Sequence, residues 1–217
     1  MQPQVTTKSR TIVYVDGFNL YYGALKGSKS KWLDLQTLFT KLLGERHQII
    51  EIKYFTARVS SRDGDLDAPN RQNAYLKALE AYIPNISIYF GHFLTHDVKA
   101  RVRNPKNGCP NIVTVIETKE KGSDVNLALH ILNDAWHDRY DCVVLVSNDS
   151  DLAEALKLVK TEHQKKIGYL VPGQSRHPSK VLMRYQDFMK IIRNSALADS
   201  QLPNPIPGTN IYKPESW

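Results

Sequence analysis

Cysteine is scarce in this chain. Cys109 and Cys142 are the only two among 217 residues, too few for a disulfide framework and in keeping with a reducing compartment. Cys142 opens the apolar run Cys142–Val146 and reads as core. Long hydrophobic runs are missing too: nothing approaches the roughly 18 continuous apolar residues that a membrane helix needs. Met1–Arg10 has no apolar centre of the kind a secretory signal carries. A cytoplasmic protein without a membrane partner is expected. There is no Walker-type phosphate loop and no Gly-x-Ser-x-Gly elbow, so no nucleotide cofactor is expected. An Asp-x-Asp pair after the first strand, which a phospho-aspartate phosphatase would use, is absent; Gly17-Phe18 separates Asp16 from the next polar residue, Asn19. Acidic residues are in deficit, 22 against 29 basic ones, giving net +7. That imbalance favours a polyanionic partner, of which nucleic acid is the commonest.

What is present alternates between two periodicities. β-Branched or apolar runs at Thr11–Val15, Ile49–Ala57, Ile86–Phe90, Cys142–Val146 and Ile167–Val171 read as strands, with Phe188–Ile192 as a last one. Helical spacing of apolar residues covers Phe18–Leu25, Leu35–Leu43, Arg71–Tyr82, Val125–Trp136 and Leu152–Lys160, with a short helix near Ser179–Tyr185. Ser60–Asn70 reads as a loop. Val98–Arg103 and Ile112–Ile116 alternate on either side of the turn-rich Asn104–Pro110 and suggest a basic hairpin. Strands alternating with helices imply an α/β fold, a mostly parallel central sheet with helices on both faces. The expected division is a flexible N-terminus over 1–10, one domain over 11–192, and an extended tail over 193–217. Four prolines lie within Leu202–Trp217, which disfavours helix there.

In parallel sheets the ligand crevice lies at the carboxyl ends of the strands, and acids recur at such places. Asp16 follows the first strand. Asp149 and Asp151 follow Cys142–Val146 within Ser147-Asn148-Asp149-Ser150-Asp151. Asp124 follows Val113–Ile116 and opens a helix. If those strands are parallel neighbours, four carboxylates meet. Two unit charges 4 Å apart repel by about 4 kcal/mol at an effective dielectric near 20, so such a cluster asks for a cation. An all-oxygen set suits Mg²⁺ or Mn²⁺ better than zinc. Singly, each acid has a plainer explanation: Ser and Asp are favoured helix caps, and Asp before Gly is turn chemistry. Recurrence at three strand ends favours the metal site, and a site of that kind can hydrolyse phosphodiesters.

Basic and aromatic residues supply further candidates. Lys99, Arg101 and Arg103 share a strand face, and with Lys106, Lys119 and Lys121 they would form a phosphate-contacting wall beside Asp124. The alternative is a solvated face that blunts a sheet edge. Tyr21 and Tyr22 offer either a stacking surface for a single-stranded base or ordinary core. His92 and His96, four apart in a loop or strand stretch, lack ligand partners.

The blocks Tyr14–Leu20 (YVDGFNL), Lys121–Val125 (KGSDV) and Ser147–Leu152 (SNDSDL) resemble the three signature blocks of the NYN domain family. Within it they look like the bacterial LabA-like branch, related to the PIN and flap-nuclease superfamily. The resemblance spans about Thr11–Ile192, and the tail resembles an ending seen in that branch. It implies a three-layer PIN-like fold and an endoribonuclease that uses Mg²⁺ or Mn²⁺. Asp16, Asp124, Asp149 and Asp151 match the acidic metal positions. Asn19 matches the polar residue after the first acid, and Ser147 the hydroxyl before the last pair, flanked by Asn148 and Ser150. Extra cysteines that bind zinc in some members have no counterpart beside Cys109, so no zinc is expected. Single-stranded RNA is the expected partner, with a homodimer also plausible. The alternatives are a regulatory nucleic-acid-binding protein with little or no turnover, or a phosphatase or nucleotidase for small phosphates.

Overall fold

The computed structural model describes residues 7–61, 65–105, 108, 110–173 and 177–217. Seven strands form one sheet in the order β4-β3-β2-β1-β5-β6-β7. They are β1 Ser9–Asp16, β2 His47–Ala57, β3 Ile86–Arg101, β4 Ile112–Lys121, β5 Cys142–Val146, β6 Lys166–Pro172 and β7 Phe188–Ile192. Every pairing is parallel except β3 with β4. All five side chains of β5 are buried, as expected of a strand covered on both faces.

Alternation along β1 divides the core. Val13 and Val15 join the cluster built on helices α2 (Leu35–Leu43) and α3 (Ala68–Tyr82). Ile12 and Tyr14 join the opposite one, built on α4 (Ser123–Trp136) and α5 (Ala153–Thr161). The mixed α/β, three-layer expectation therefore holds. Helix α2 starts where the Asp34 side chain accepts from the Thr37 N–H at 3.0 Å and stops at Gly44, whose φ is +72°. Helix α3 begins three residues before the expected Arg71, because Pro69 fits a first helical turn. On the α4 side, Asp134 is fully buried. It accepts from the Tyr14 hydroxyl and the Lys53 ammonium, both at 2.5 Å, and from Arg139 at 3.2 Å. These bonds tie α4 to β1 and β2.

Several expectations need correction. The segment Phe18–Leu25 is not one helix: a short turn of helix α1, Gly17–Leu20, passes into a π-helical turn over Tyr21–Leu25, a form that is uncommon and concentrated at functional sites. Strand β3 does not end at Phe90. It pairs with β2 through Gly91, then with β4 from His92 to Arg101. The hairpin is therefore a long continuation of the sheet. Strand β1 begins at Ser9, and Arg10 bonds Asp141 at 2.7 Å, so residues 7–10 belong to the domain; residues 1–6 lie outside the described ones. The segment 193–217 is not simply extended. Asn194–Ala198 forms helix α6, and the rest packs on the domain. Trp32 Nε1 donates to the Pro203 carbonyl at 3.0 Å, Leu202 and Ile206 are buried, and the Trp217 ring lies 5.8 Å from that of Tyr75. The helix near Ser179–Tyr185 contracts to a 3₁₀ turn, Leu182–Arg184. No described helix is long and apolar enough to cross a membrane.

Candidate active site at the carboxyl end of the sheet

Strands β1 and β5 are parallel neighbours with Val15 opposite Val146, so Asp16 and Ser147 leave the sheet side by side. The Ser147 hydroxyl donates to Asp16 Oδ2 at 2.8 Å. Asn19 donates its backbone N–H to Oδ1 and its amide to Oδ2, each at 2.9 Å, the first of these capping α1. Asp16 is only 4% exposed. Burial drives its proton affinity up, the bonds from Asn19 and Ser147 pull it back, and the Asp149 charge adds a further push upward. Asp149 belongs to the same knot, its N–H donating to Ser147 Oγ at 3.1 Å. Its side chain accepts the Asp151 N–H at 3.0 Å and caps the 3₁₀ turn Ser150–Leu152 that leads into α5.

Asp124 arrives by a different route from the one its sequence suggests. Strand β4 is not a parallel neighbour of β1; it is antiparallel and lies at the sheet edge. The hairpin runs out along β3 and returns along β4 until Lys121 stands opposite His92. That register restores the chain to the carboxyl end of β2, where Ala57 faces Gly91. Gly91 permits the approach, since a Cβ there would lie 2.2 Å from Glu120 Oε1 and 2.6 Å from the Lys121 carbonyl oxygen. Gly122, at φ +93°, turns the chain into α4. Ser123 is then fixed by Glu120, to which its N–H and hydroxyl donate at 3.1 and 2.7 Å.

Asp16, Asp124, Asp149 and Glu120 line one cavity of about 500 Å³, within the usual range for ligand sites. The Asp124 carboxyl is pushed up to about 6, first by burial, then by repulsion from Asp16, Asp149 and Glu120. Three of the four anticipated acids are thus brought together. Asp151 is exposed and does not line the cavity, because its N–H is committed to Asp149 at the start of the turn. Ser150 is likewise exposed. Asn148 braces the chain after β6, accepting from the Ser179 N–H at 2.8 Å and donating to the His177 carbonyl at 3.0 Å. Glu120 is the acid that sequence reading missed. Flanked by Lys119 and Lys121, it looks like a solvated strand position. Its one signal is a carboxylate three residues before the serine that opens a helix.

The basic wall divides in the same way. Lys119 and Lys121 stand at the base of the hairpin, Lys119 paired with Glu117 at 2.9 Å. Arg101 faces Ile112, nine positions further out, which at about 3.4 Å per residue is roughly 30 Å away. Arg103 lies beyond it, so neither arginine stands beside Asp124. Lys106 and Cys109 lie outside the described residues. Seven aromatic residues share the rest of the lining, Phe18, Tyr21, Tyr22, Tyr54, Tyr75, Phe93 and Trp217, with Lys26, Lys31, Arg71 and Asp65 also on it. Tyr21 and Tyr22 thus face the cavity, and Tyr22 is half exposed.

The donor set fits a hard divalent cation: carboxylates only, crowded enough that their neighbours help raise the proton affinity of Asp16 and Asp124. Among the described residues no three His, Cys, Asp or Glu groups form a ready-made cage. Mg²⁺ does not require one, because it commonly binds through one or two carboxylates and keeps several waters.

The chain is similar to known proteins in sequence and in fold. The chain is 36% identical to 6-hydroxy-3-succinoylpyridine 3-monooxygenase HspA of Pseudomonas putida (strain DSM 28022 / S16), over 96% of this chain and 75% of that one. Among solved structures it is similar in fold to a protein of unknown function, VPA0982, from Vibrio parahaemolyticus RIMD 2210633. The TM-score is 0.56 at 19% identity, covering 93% of this chain and all of that one. The model of the NYN domain matches residues 10–192, a span that holds the whole acidic knot. The chain belongs to the NYN domain family.

Proposed function

We propose that the protein is a Mg²⁺- or Mn²⁺-dependent hydrolase of phosphodiester bonds in single-stranded RNA. The observation that carries this reading is the convergence of Asp16, Asp124 and Asp149 from three separated segments onto one cavity, in a chain whose net charge is +7. Concentrated acid in a basic protein suits a polyanionic substrate, because the general surface attracts the phosphates that the site itself repels. When bound, the ion supplies charge neutralisation at the phosphate and a more acidic water. Asp16 and Asp149 are the residues to hold it. Asn19 and Ser147 orient Asp16, and Glu120 fixes the helix turn from which Asp124 projects. Asp124, with its proton affinity near neutrality, is placed to take a proton from attacking water. Lys119 and Lys121, on either side of Glu120 but off the cavity lining, add positive charge to the surface around the site. Asp151 and Ser150 act through the turn that Asp149 caps, and Asn148 through its brace.

A second reading has its own support. The Pseudomonas relative is named for oxygenation of a substituted pyridine, and an aromatic-walled cavity suits a flat heteroaromatic ring as well as a nucleobase. One experiment separates the two. Purified protein and Asp149→Asn are incubated with single-stranded RNA, single-stranded DNA and duplexes in Mg²⁺, Mn²⁺ or EDTA. Parallel samples hold 6-hydroxy-3-succinoylpyridine with O₂ and a reduced nicotinamide. Metal-dependent RNA cleavage lost in the variant supports the hydrolase. Its absence, or equal cleavage by the variant, overturns the hydrolase; turnover of the pyridine then supports the oxygenase, and salt-sensitive RNA binding alone supports a regulatory role.

A further inference from the structure

Hydrolysis of a phosphodiester at strand ends needs an acid cluster on an accessible surface; it does not need a deep chamber behind it. The chamber is nevertheless there, and aromatic and cationic side chains line it together with the acids. Tyr21 and Tyr22 pack edge to face with centroids 5.2 Å apart. Phe18 and Phe93 do the same at 5.9 Å, so rings from the π-helical turn and from β3 line it together. Cations mark the other part of the lining. Lys26 lies 4.9 Å above the Tyr22 ring, and it follows Asp16 by ten residues of largely helical chain, or roughly 15 Å at 1.5 Å per residue. Lys31 lines the same space. Arg71, partly buried, is neutralised by Asp65 on the same lining, whose two oxygens accept at 2.6 and 2.5 Å.

We propose that this chamber is a binding subsite for one planar aromatic ring bearing an anionic arm, the ring against Tyr21 and Tyr22 and the arm against Lys26 and Lys31. The chemistry is that of a nucleoside 5′-phosphate or of a heteroaromatic carboxylic acid. In a single strand it would seat the base next to the bond presented to Asp16, Asp124 and Asp149; that orientation rests on the hydrolase reading, whereas the subsite itself does not. Base-on-aromatic stacking and a charge-assisted contact are each worth on the order of tenfold in affinity. The π-helical turn gains a role, since it carries both tyrosines and ends at Lys26.

The test is calorimetric titration in EDTA, where no metal-dependent cleavage intervenes, using adenosine 5′-monophosphate, adenosine, pyridine-3-carboxylate and inorganic phosphate. Adenosine 5′-monophosphate is expected to bind saturably and about tenfold more tightly than adenosine. Lys26→Ala combined with Lys31→Ala should bring it down to the level of adenosine. Tyr22→Ala, at a half-exposed position, should weaken both about tenfold while circular dichroism still reports the wild-type fold. Tighter binding of pyridine-3-carboxylate than of the nucleotide would identify the heteroaromatic acid as the source of the ring. No saturable binding of either ring, equal binding of adenosine and its monophosphate, inorganic phosphate binding as well as the nucleotide, or indifference to the lysine or tyrosine substitutions would overturn the proposal. RNA cleavage is scored separately, so binding without cleavage counts against the hydrolase alone.

Discussion

Asp124→Asn offers the sharpest test of the crowded carboxylates. In the folded protein the Asp124 carboxyl is raised from 3.8 to about 6. A tenfold change in proton affinity corresponds to about 1.4 kcal/mol, so the full shift amounts to about 3 kcal/mol. Solvent reaches this half-buried group, and screening reduces the effect to about 1–2 kcal/mol. The sign follows from linkage: between pH 4 and 6 the folded state binds the extra proton, so wild-type stability falls as pH rises through that window and stays lower above it. Asparagine removes the cost of a buried charge, and with it the repulsion from Asp16, Asp149 and Glu120, but also forfeits a favourable charge in the first turn of α4, worth about 0.3–1 kcal/mol. The variant should therefore be about 1 kcal/mol more stable than wild type at pH 8 in EDTA. With a urea slope near 2 kcal/mol per molar, the midpoint rises by about 0.5 M. Below about pH 3.8 the advantage should vanish. Mg²⁺ should stabilise both proteins at pH 8, because Asp16 and Asp149 remain to hold it. A variant no more stable than wild type at pH 8 would refute the burial and crowding of charge on which the site is argued.

Other outcomes follow from the same geometry. Ser147→Ala removes a donor from Asp16, raises its proton affinity further, and should move the acid limb of the cleavage pH profile to higher pH; an unmoved limb would show that the serine does not tune the acid. Gly91→Ala forces the β4 backbone away, and should lower stability by about 1–3 kcal/mol and abolish cleavage at temperatures where circular dichroism still reports a folded protein. Asp134→Ala leaves the buried Lys53 with only Glu51, 3.7 Å away, and should lower stability by about 3–5 kcal/mol in urea titration. A Lys53→Met, Asp134→Leu double variant should recover most of that loss.

The features legible in the sequence were those set by local periodicity. The run Cys142–Val146 and the helix Leu35–Leu43 fall where their apolar spacing puts them. Asp16 and Asp149 were legible because each lies within three residues of the end of such a run, and neighbouring parallel strands bring their ends together. Asp124 was expected in the right company by the wrong route, since nothing in Val113–Ile116 distinguishes an antiparallel edge strand from a parallel one. Strand β3 was underestimated because His92–Arg101 projects beyond the main layers and carries no buried stripe to set a period. Glu120 was hidden between lysines, its role being fixed by a contact across the turn to Ser123. The tail misled through its prolines: they describe its backbone but not its contacts, and Trp217 reaches the cavity by packing on Tyr75 and Trp32.

The long β3–β4 arm acts as a measuring rod. Asp124 is located by counting back from the arm's far turn along two equal legs, so its position depends on the difference between their lengths and not on the length itself. Adding or removing residues in matched pairs would change how far the arm extends while leaving the carboxylates where they are. A single unmatched residue in either leg would displace Asp124 by about 3.4 Å or force a bulge. Reach and chemistry are thus separately adjustable, and descendants of this chain are free to vary the one without retuning the other.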